Sequence, residues 1–225
     1  MKKIQPVRGT HDLVGNDLVL YKKIEKIISK MAYDYDFTEI ITPIFESSEL
    51  FKKPLGQHSE VVLKEMYTFE DRNQSLLTLR PEYTTPMIRA ALTHNLFNHL
   101  PVKLFGMGPM FRRERPQKGR FRQFNQINFE ILGSSDSFVD TEIIVLASDF
   151  LKNLNLDKKA KLYLNSLGDL DTLSQYKKIL SGYFDKYKND LSNESQSKIK
   201  TNPLRILDSK NAKDIKVNAE VPKIE

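Results

Sequence analysis

Between Phe111 and Arg122 the chain reads FRRERPQKGRFR, with five arginines and one lysine in the eleven positions from 112 to 122. Arginine grips phosphate oxygens two at a time through its planar fork, and a turn brings several such groups onto one polyanion. A solvated hairpin tip carries a similar charge run. Two features weigh toward a site. Glu114 stands among the arginines, where it can orient one of them. The strand that follows also has an unusual face. By two-residue alternation Arg122, Phe124, Gln126, Asn128 and Glu130 share one side, while Phe121, Ile127, Phe129 and Ile131 share the other. The second side is core. The first sets hydrogen-bonding groups along a surface continuous with the arginine loop. At roughly 3.4 Å per residue the α-carbons of Gln126 and Glu130 lie about 13–14 Å apart, a span suited to two ends of a small substrate. The alternation allows a solvent-facing side equally well.

A second polar cluster, LRPEYTTP from Leu79 to Pro86, lies between an apolar strand pattern and a helical one. Thr84 or Thr85 can cap that helix and Pro86 suits its first turn. Capping leaves Glu82 unexplained, a carboxylate beside a turn that can accept hydrogen bonds from an ammonium group. There are no cysteines, hence neither disulfides nor thiolate sites, and the four histidines lack paired ligand spacing, so no metal site is read.

These residues need elements to hold them. Asn16 or Asp17 caps an amphipathic helix running to Tyr35, and Phe37 to Thr42 forms a strand stopped by Pro43. Residues 61–71 and 75–80 make a hairpin around Asp71-Arg72-Asn73. A helix runs from Met87 to Leu100 and ends at Pro101. Two long strands, 102–111 and 121–132, flank the arginine loop, and residues 138–154 form a third apolar-periodic helix. Residues 161–167 are a short strand candidate, 170–200 are helix-like, and the last 25 positions hold few large apolar groups. Long strands without helical crossovers indicate an α+β fold with an antiparallel sheet. The 225 residues carry a formal charge of +6, which suits a polyanionic partner such as RNA but does not by itself require one. No apolar run approaches the ~18 residues of a membrane span, and the start, MKKIQPVRGTHD, lacks the apolar region of a signal peptide. A cytoplasmic protein is the simple reading.

The order and spacing of Val7-Arg8-Gly9-Thr10-His11-Asp12, Thr42-Pro43-Ile44-Phe45-Glu46, Glu65 to Asp71, Leu79 to Thr84 and Phe111 to Glu130 resemble histidyl-tRNA synthetases. The likeness extends through Leu164-Asn165-Ser166-Leu167-Gly168 and Asn202 to Asp208. It implies a class II aminoacyl-tRNA synthetase fold, an antiparallel sheet flanked by helices, acting as a homodimer on L-histidine, ATP with Mg2+, and tRNA(His). By the same resemblance Arg112 is the catalytic residue, contacting the α-phosphate and the histidine carboxylate. Glu114 and Arg120 lie against ATP. Glu82, Thr84 and Gln126 hold the substrate α-amino group, with Tyr83 in the same pocket wall, and Glu130 accepts from the imidazole. Adenylate formation needs positioning and cationic clamping but no protein nucleophile, which agrees with a site of Arg, Glu and Gln.

The resemblance divides the chain into residues 1–168, the first part of a catalytic core with the first two class motifs, and 169–225, a connecting segment and the start of an insertion. The family's third class motif and anticodon-binding domain are not in this sequence. The fold is therefore expected to be truncated before completion, and the chain inactive alone. Two other readings stand beside this one: a non-catalytic paralogue of the ATP phosphoribosyltransferase regulatory type, and a short dimerisation or RNA-binding module.

Overall fold

Gly15, with φ 57°, precedes the first helix, α1 (Asn16–Asp34). No side chain caps it, so Asn16 and Asp17 belong to the helix and not to its cap. Asp17 lies in the first turn, where its charge opposes the helix dipole. Asp36 ends α1 in the left-handed region, where Asp is among the few tolerated residues. There Phe37 donates its amide to the Ala32 carbonyl at 2.8 Å and Asp36 donates to Tyr33 at 3.1 Å, a Schellman closure that turns the chain into the sheet.

The computed structural model describes residues 3–55, 65–166 and 168–224. These fall into two units, Met1–Lys161 and Leu162–Glu225, where the resemblance implied a division after residue 168.

In the first unit, β1 (Thr38–Glu39) runs parallel to β5 (Val102–Phe111), and β5 is antiparallel to β6 (Gln123–Leu132). A second sheet has the order β2 (Phe45–Ser47), β4 (Leu76–Leu79), β3 (Tyr67–Glu70), all antiparallel. The expected strand at 37–42 is thus only two residues of ladder. The β3–β4 hairpin turns at 71–75, and residues 61–64 of its expected first strand lie outside the described residues. The helices of this unit are α1, α2 (Ser48–Leu55), α3 (Thr84–Thr93) and α4 (Ser137–Asn153). The helix read from Met87 to Leu100 begins earlier and breaks after Thr93. Asn95 adopts left-handed φ 53°, and only a short 3-10 turn, Leu96–Asn98, follows.

The long sheet has one core on each face. Phe105 of β5 and Ile127, Phe129 and Ile131 of β6 pack against Ile28, Met31 and Ala32 of α1 and Leu146 of α4. The Tyr35 hydroxyl donates to Asp149 at 2.6 Å, tying α1 to α4. On the opposite face Leu104 and Met110 of β5, with Phe124 of β6, meet Tyr83, Met87 and Ala91. Phe121, assigned to the core side by alternation, is instead 41% exposed and lies against His11, because regular β6 begins only at Gln123.

The second unit contains α5 (Leu170–Lys186), α6 (Asn193–Lys198), α7 (Leu204–Leu207) and α8 (Ala212–Asn218). Residues 161–166, read as a strand, form no ladder, and a strand needs a neighbour to satisfy its backbone. The polar-looking tail builds a core of its own: Ile206 and Val217 join Tyr176, Leu180, Phe184, Leu191 and Ile199.

Candidate active site

The register of β5 on β6 decides what stands beside the polar row. Gly108 lies opposite Gln126, Gly106 opposite Asn128, and Leu104 opposite Glu130. Cross-strand partners share a face, so two glycines leave open space beside the polar side chains. The segment 80–83 fills it. A β-carbon on Gly106 would lie 2.0 Å from Tyr83 Cε1, and one on Gly108 would lie 2.5 Å from Arg80 Nη2.

Tyr83 therefore lies beneath the site and not on its wall. It is 0% exposed, and its hydroxyl donates to the Ile40 carbonyl at 3.2 Å. Arg80, which the sequence reading gave no role, is also buried. Its Nε donates to the Pro109 carbonyl at 3.0 Å, and its Nη1 donates to Thr42 O at 2.8 Å and Thr42 Oγ1 at 3.0 Å. Its guanidinium stacks over the Tyr83 ring at 4.4 Å. Burial lowers the Arg80 pKa from its usual value, against the opposing influence of Tyr83 and Glu46. The signal for both residues was the Gly106-Met107-Gly108 alternation, which matters only once the register is known.

Glu82 caps α3. Its carboxylate accepts from the Thr85 amide at 3.0 and 3.3 Å, and Tyr83 occupies the cap position without capping through its own side chain. Neither threonine serves as the cap. Thr84 instead donates its hydroxyl to Glu130 Oε1 at 2.6 Å. Asn128 Nδ2 donates to Thr84 Oγ1 at 3.0 Å and to Glu130 Oε1 at 2.8 Å, and Gln126 Nε2 donates to Asn128 Oδ1 at 2.5 Å. Gln126 Oε1 is buried with no partner among the described residues. Thr84, Gln126, Asn128 and Glu130 thus form one connected row, and the solvent-facing alternative for this face is set aside. Asn128, 8% exposed, is a member of that row to which the sequence reading gave no role.

The arginine loop continues from the same strands. The Arg112 amide donates to the Arg122 carbonyl at 2.9 Å, extending the ladder, and Gly119 with φ 79° closes a turn between Gln117 and Arg120. Arg112 Nε donates to the Pro81 carbonyl at 2.9 Å, and its guanidinium stands 5.2 Å from the Phe124 ring centre. Glu114 lies between two arginines, 3.9 Å from Arg112 Nη1 and 3.3 Å from Arg120 Nη1. At 3.9 Å the first is a charge contact, and the second is a hydrogen-bonded pair at the long end. The loop is braced from outside. The Gly9 carbonyl accepts from the amides of Arg122 at 2.7 Å and Gln123 at 3.4 Å. A β-carbon on Gly9 would come within 2.8 Å of Arg122 Cγ and 2.9 Å of Pro116 Cγ.

A surface of this kind offers carboxylate and amide acceptors at one end and a cluster of guanidinium groups at the other, with Arg112 between them. It suits a small ligand with donor groups placed beside a phosphate-bearing one.

A protein-family model described as histidyl-tRNA synthetase matches residues 9–216. The histidine–tRNA ligase of Wolbachia pipientis subsp. Culex pipiens (strain wPip) is 47% identical over 220 residues, which are 98% of this chain and 54% of that protein. That of Gluconacetobacter diazotrophicus is 45% identical over 224 residues, covering 100% of this chain and 54% of that protein. The chain spans about half the length of the curated relatives it matches. Among solved structures, apo S. aureus histidyl-tRNA synthetase superposes with TM-score 0.72 at 32% identity, covering 90% of this chain and 48% of that one. A Bacillus halodurans protein titled ATP phosphoribosyltransferase regulatory subunit/histidyl-tRNA synthetase shares the fold, with TM-score 0.63 at 19% identity over 99% of this chain and 60% of that one. The α+β architecture is that of the class II catalytic domain, and the chain belongs to the histidyl-tRNA synthetase family.

Proposed function

We propose that this chain supplies the histidine pocket and the phosphate-binding loop of a histidine–tRNA ligase. In that reaction the carboxylate of L-histidine attacks the α-phosphorus of ATP, pyrophosphate leaves, and the histidyl group passes from the resulting adenylate to a terminal hydroxyl of tRNA(His), releasing AMP. The observation that carries the reading is the continuous row from Gln126 through Asn128 to Glu130, tied to Thr84 and running into the arginine loop. Gln126 Oε1, a buried acceptor without a donor, suits an α-ammonium group. Glu130 suits an imidazole N–H. Glu82 shares its carboxylate between the cap of α3 and the α-ammonium. Tyr83 supports this pocket from below.

Arg112, held at Nε by Pro81, directs its remaining N–H groups to the α-phosphate and the histidine carboxylate. It brings the two reactants together and spreads the developing charge. Glu114 and Arg120 lie against ATP. Magnesium arrives with the nucleotide, held by its phosphates. Among the described residues no three carboxylates or imidazoles gather to hold a metal independently. No helix among the described residues is long and apolar enough to cross a membrane. On the family reading the reaction belongs in the cytoplasm, with the enzyme a homodimer.

The test is histidine-dependent exchange of labelled pyrophosphate into ATP by the protein expressed from its complete coding sequence. Exchange with histidine and none with other amino acids supports the reading. A non-catalytic binding paralogue or an RNA-binding module gives no exchange with any of them.

A further inference from the structure

We propose that Asn128 is a positioning residue of this pocket, fixing which end of the Gln126 amide faces the substrate while holding the Glu130 carboxylate in place. The inference rests on the histidine-pocket reading above. Asn128 is 8% exposed, and both ends of its amide are engaged.

The orientation follows from chemistry, starting at the carboxylate. Ionised Glu130 can only accept hydrogen bonds, so the group 2.8 Å from its Oε1 must be the Asn128 nitrogen. That leaves Asn128 Oδ1 as the contact for Gln126, and an oxygen there requires a donor. Gln126 must therefore present Nε2 to Asn128, at 2.5 Å, and turn Oε1 away from it. An amide that is otherwise nearly symmetric in shape is thereby held with its acceptor outward. A second consequence concerns Glu130. Thr84 at 2.6 Å and Asn128 at 2.8 Å both donate to Oε1, leaving Oε2 for a ligand N–H. One side chain thus sets two acceptors, and those acceptors match a ligand with an ammonium at one end and an N–H at the other. Gly106, directly opposite Asn128, and the Tyr83 ring packed on it close the space into which Asn128 could otherwise rotate.

Two variants separate the effects. Asn128→Ala frees both neighbours, whereas Asn128→Asp keeps an acceptor for Gln126 but loses both donors and places a second carboxylate beside Glu130. The experiment measures pyrophosphate exchange by the protein from its complete coding sequence, with KM for histidine and for ATP. It also measures inhibition by the analogue that lacks only the α-amino group, 3-(imidazol-4-yl)propionate. For Asn128→Ala the histidine KM should rise by about tenfold or more, the loss expected for hydrogen bonds to charged groups, while the ATP KM stays within about twofold. Its preference for histidine over the des-amino analogue should shrink. Asn128→Asp should keep that preference and weaken binding of both imidazole ligands.

Equal losses for histidine and ATP in both variants, or an unchanged preference in Asn128→Ala, would overturn the proposal while leaving the histidine-pocket reading intact. A wild-type protein without histidine-dependent exchange would overturn both.

Discussion

The hydroxyl of Thr84, the first residue of α3, donates to the carboxylate of Glu130 near the end of β6 at 2.6 Å, joining positions 46 apart in sequence. The start of the helix and the polar row of the sheet are one unit. Glu130→Ala removes the acceptor on which Thr84 and Asn128 converge. On the proposed function, the histidine KM should rise by about tenfold to a hundredfold, while ATP binding changes little, because the arginine loop does not contact this carboxylate. Steady-state exchange kinetics with each substrate varied in turn check this. Equal loss of both substrates would remove Glu130 from the imidazole.

On the proposed function Glu82 has two tasks, capping α3 and meeting the α-ammonium group, that substitution can separate. Glu82→Ala deletes the cap of α3 and should cost about 1 kcal/mol in thermal or urea unfolding. Glu82→Gln retains an acceptor for the Thr85 amide, so its stability should stay within about 0.5 kcal/mol of the parent, yet it loses the negative charge offered to the α-ammonium. A higher histidine KM in the glutamine variant at near-parental stability is the expected outcome.

Gly106 has no room for a β-carbon over the Tyr83 ring. Gly106→Ala should destabilise the protein by about 1–3 kcal/mol through overpacking. Tyr83→Leu should be destabilising alone but should soften the effect of the alanine, giving a coupling of about 1 kcal/mol in a double-mutant cycle of urea melts. Simple additivity would show that the two positions do not press on each other.

Asp214, in the first turn of α8, is fully buried and accepts four hydrogen bonds. They come from the Ser192 amide at 2.7 Å and the hydroxyls of Ser192, Ser195 and Ser209 at 2.8, 2.7 and 2.5 Å. Burial by itself would raise its pKa, but these donors outweigh it and bring the value from 3.8 down to about 2. The folded value lies below the unfolded one, so the added stability is complete above the unfolded pKa and is lost as pH falls through the folded one. The window is pH 4 to 2, and the amount is about 2 kcal/mol. Circular dichroism melts should show wild type losing more stability than Asp214→Asn over that interval.

Local chemistry made some of this legible in sequence. Strict alternation marked β6 and its polar row, and the ten residues of β5 ended where the arginine run begins. What was not legible depends on partners distant in the chain. An apolar period continuing through Leu96 and Leu100 extended α3 past its end, because the left-handed turn at Asn95 has no hydrophobic signature. Glu82 looked like a site residue and Thr84 or Thr85 like a cap, and the structure gives the cap to Glu82. Either assignment satisfies the helix terminus, and only the position of Glu130 decides between them. The last 25 positions read as poor in large apolar groups because those groups are scattered over short helices, and their burial depends on residues of α5 together with Leu191 and Ile199.

The bracing of the arginine loop by Gly9 makes a distant stretch of chain part of the loop's shape. The carbonyl that receives the amides of Arg122 and Gln123 stands more than a hundred positions earlier in the sequence. Rebuilding the segment around Gly9 withdraws that acceptor and slackens the turn from outside, although residues 112–122 themselves are untouched.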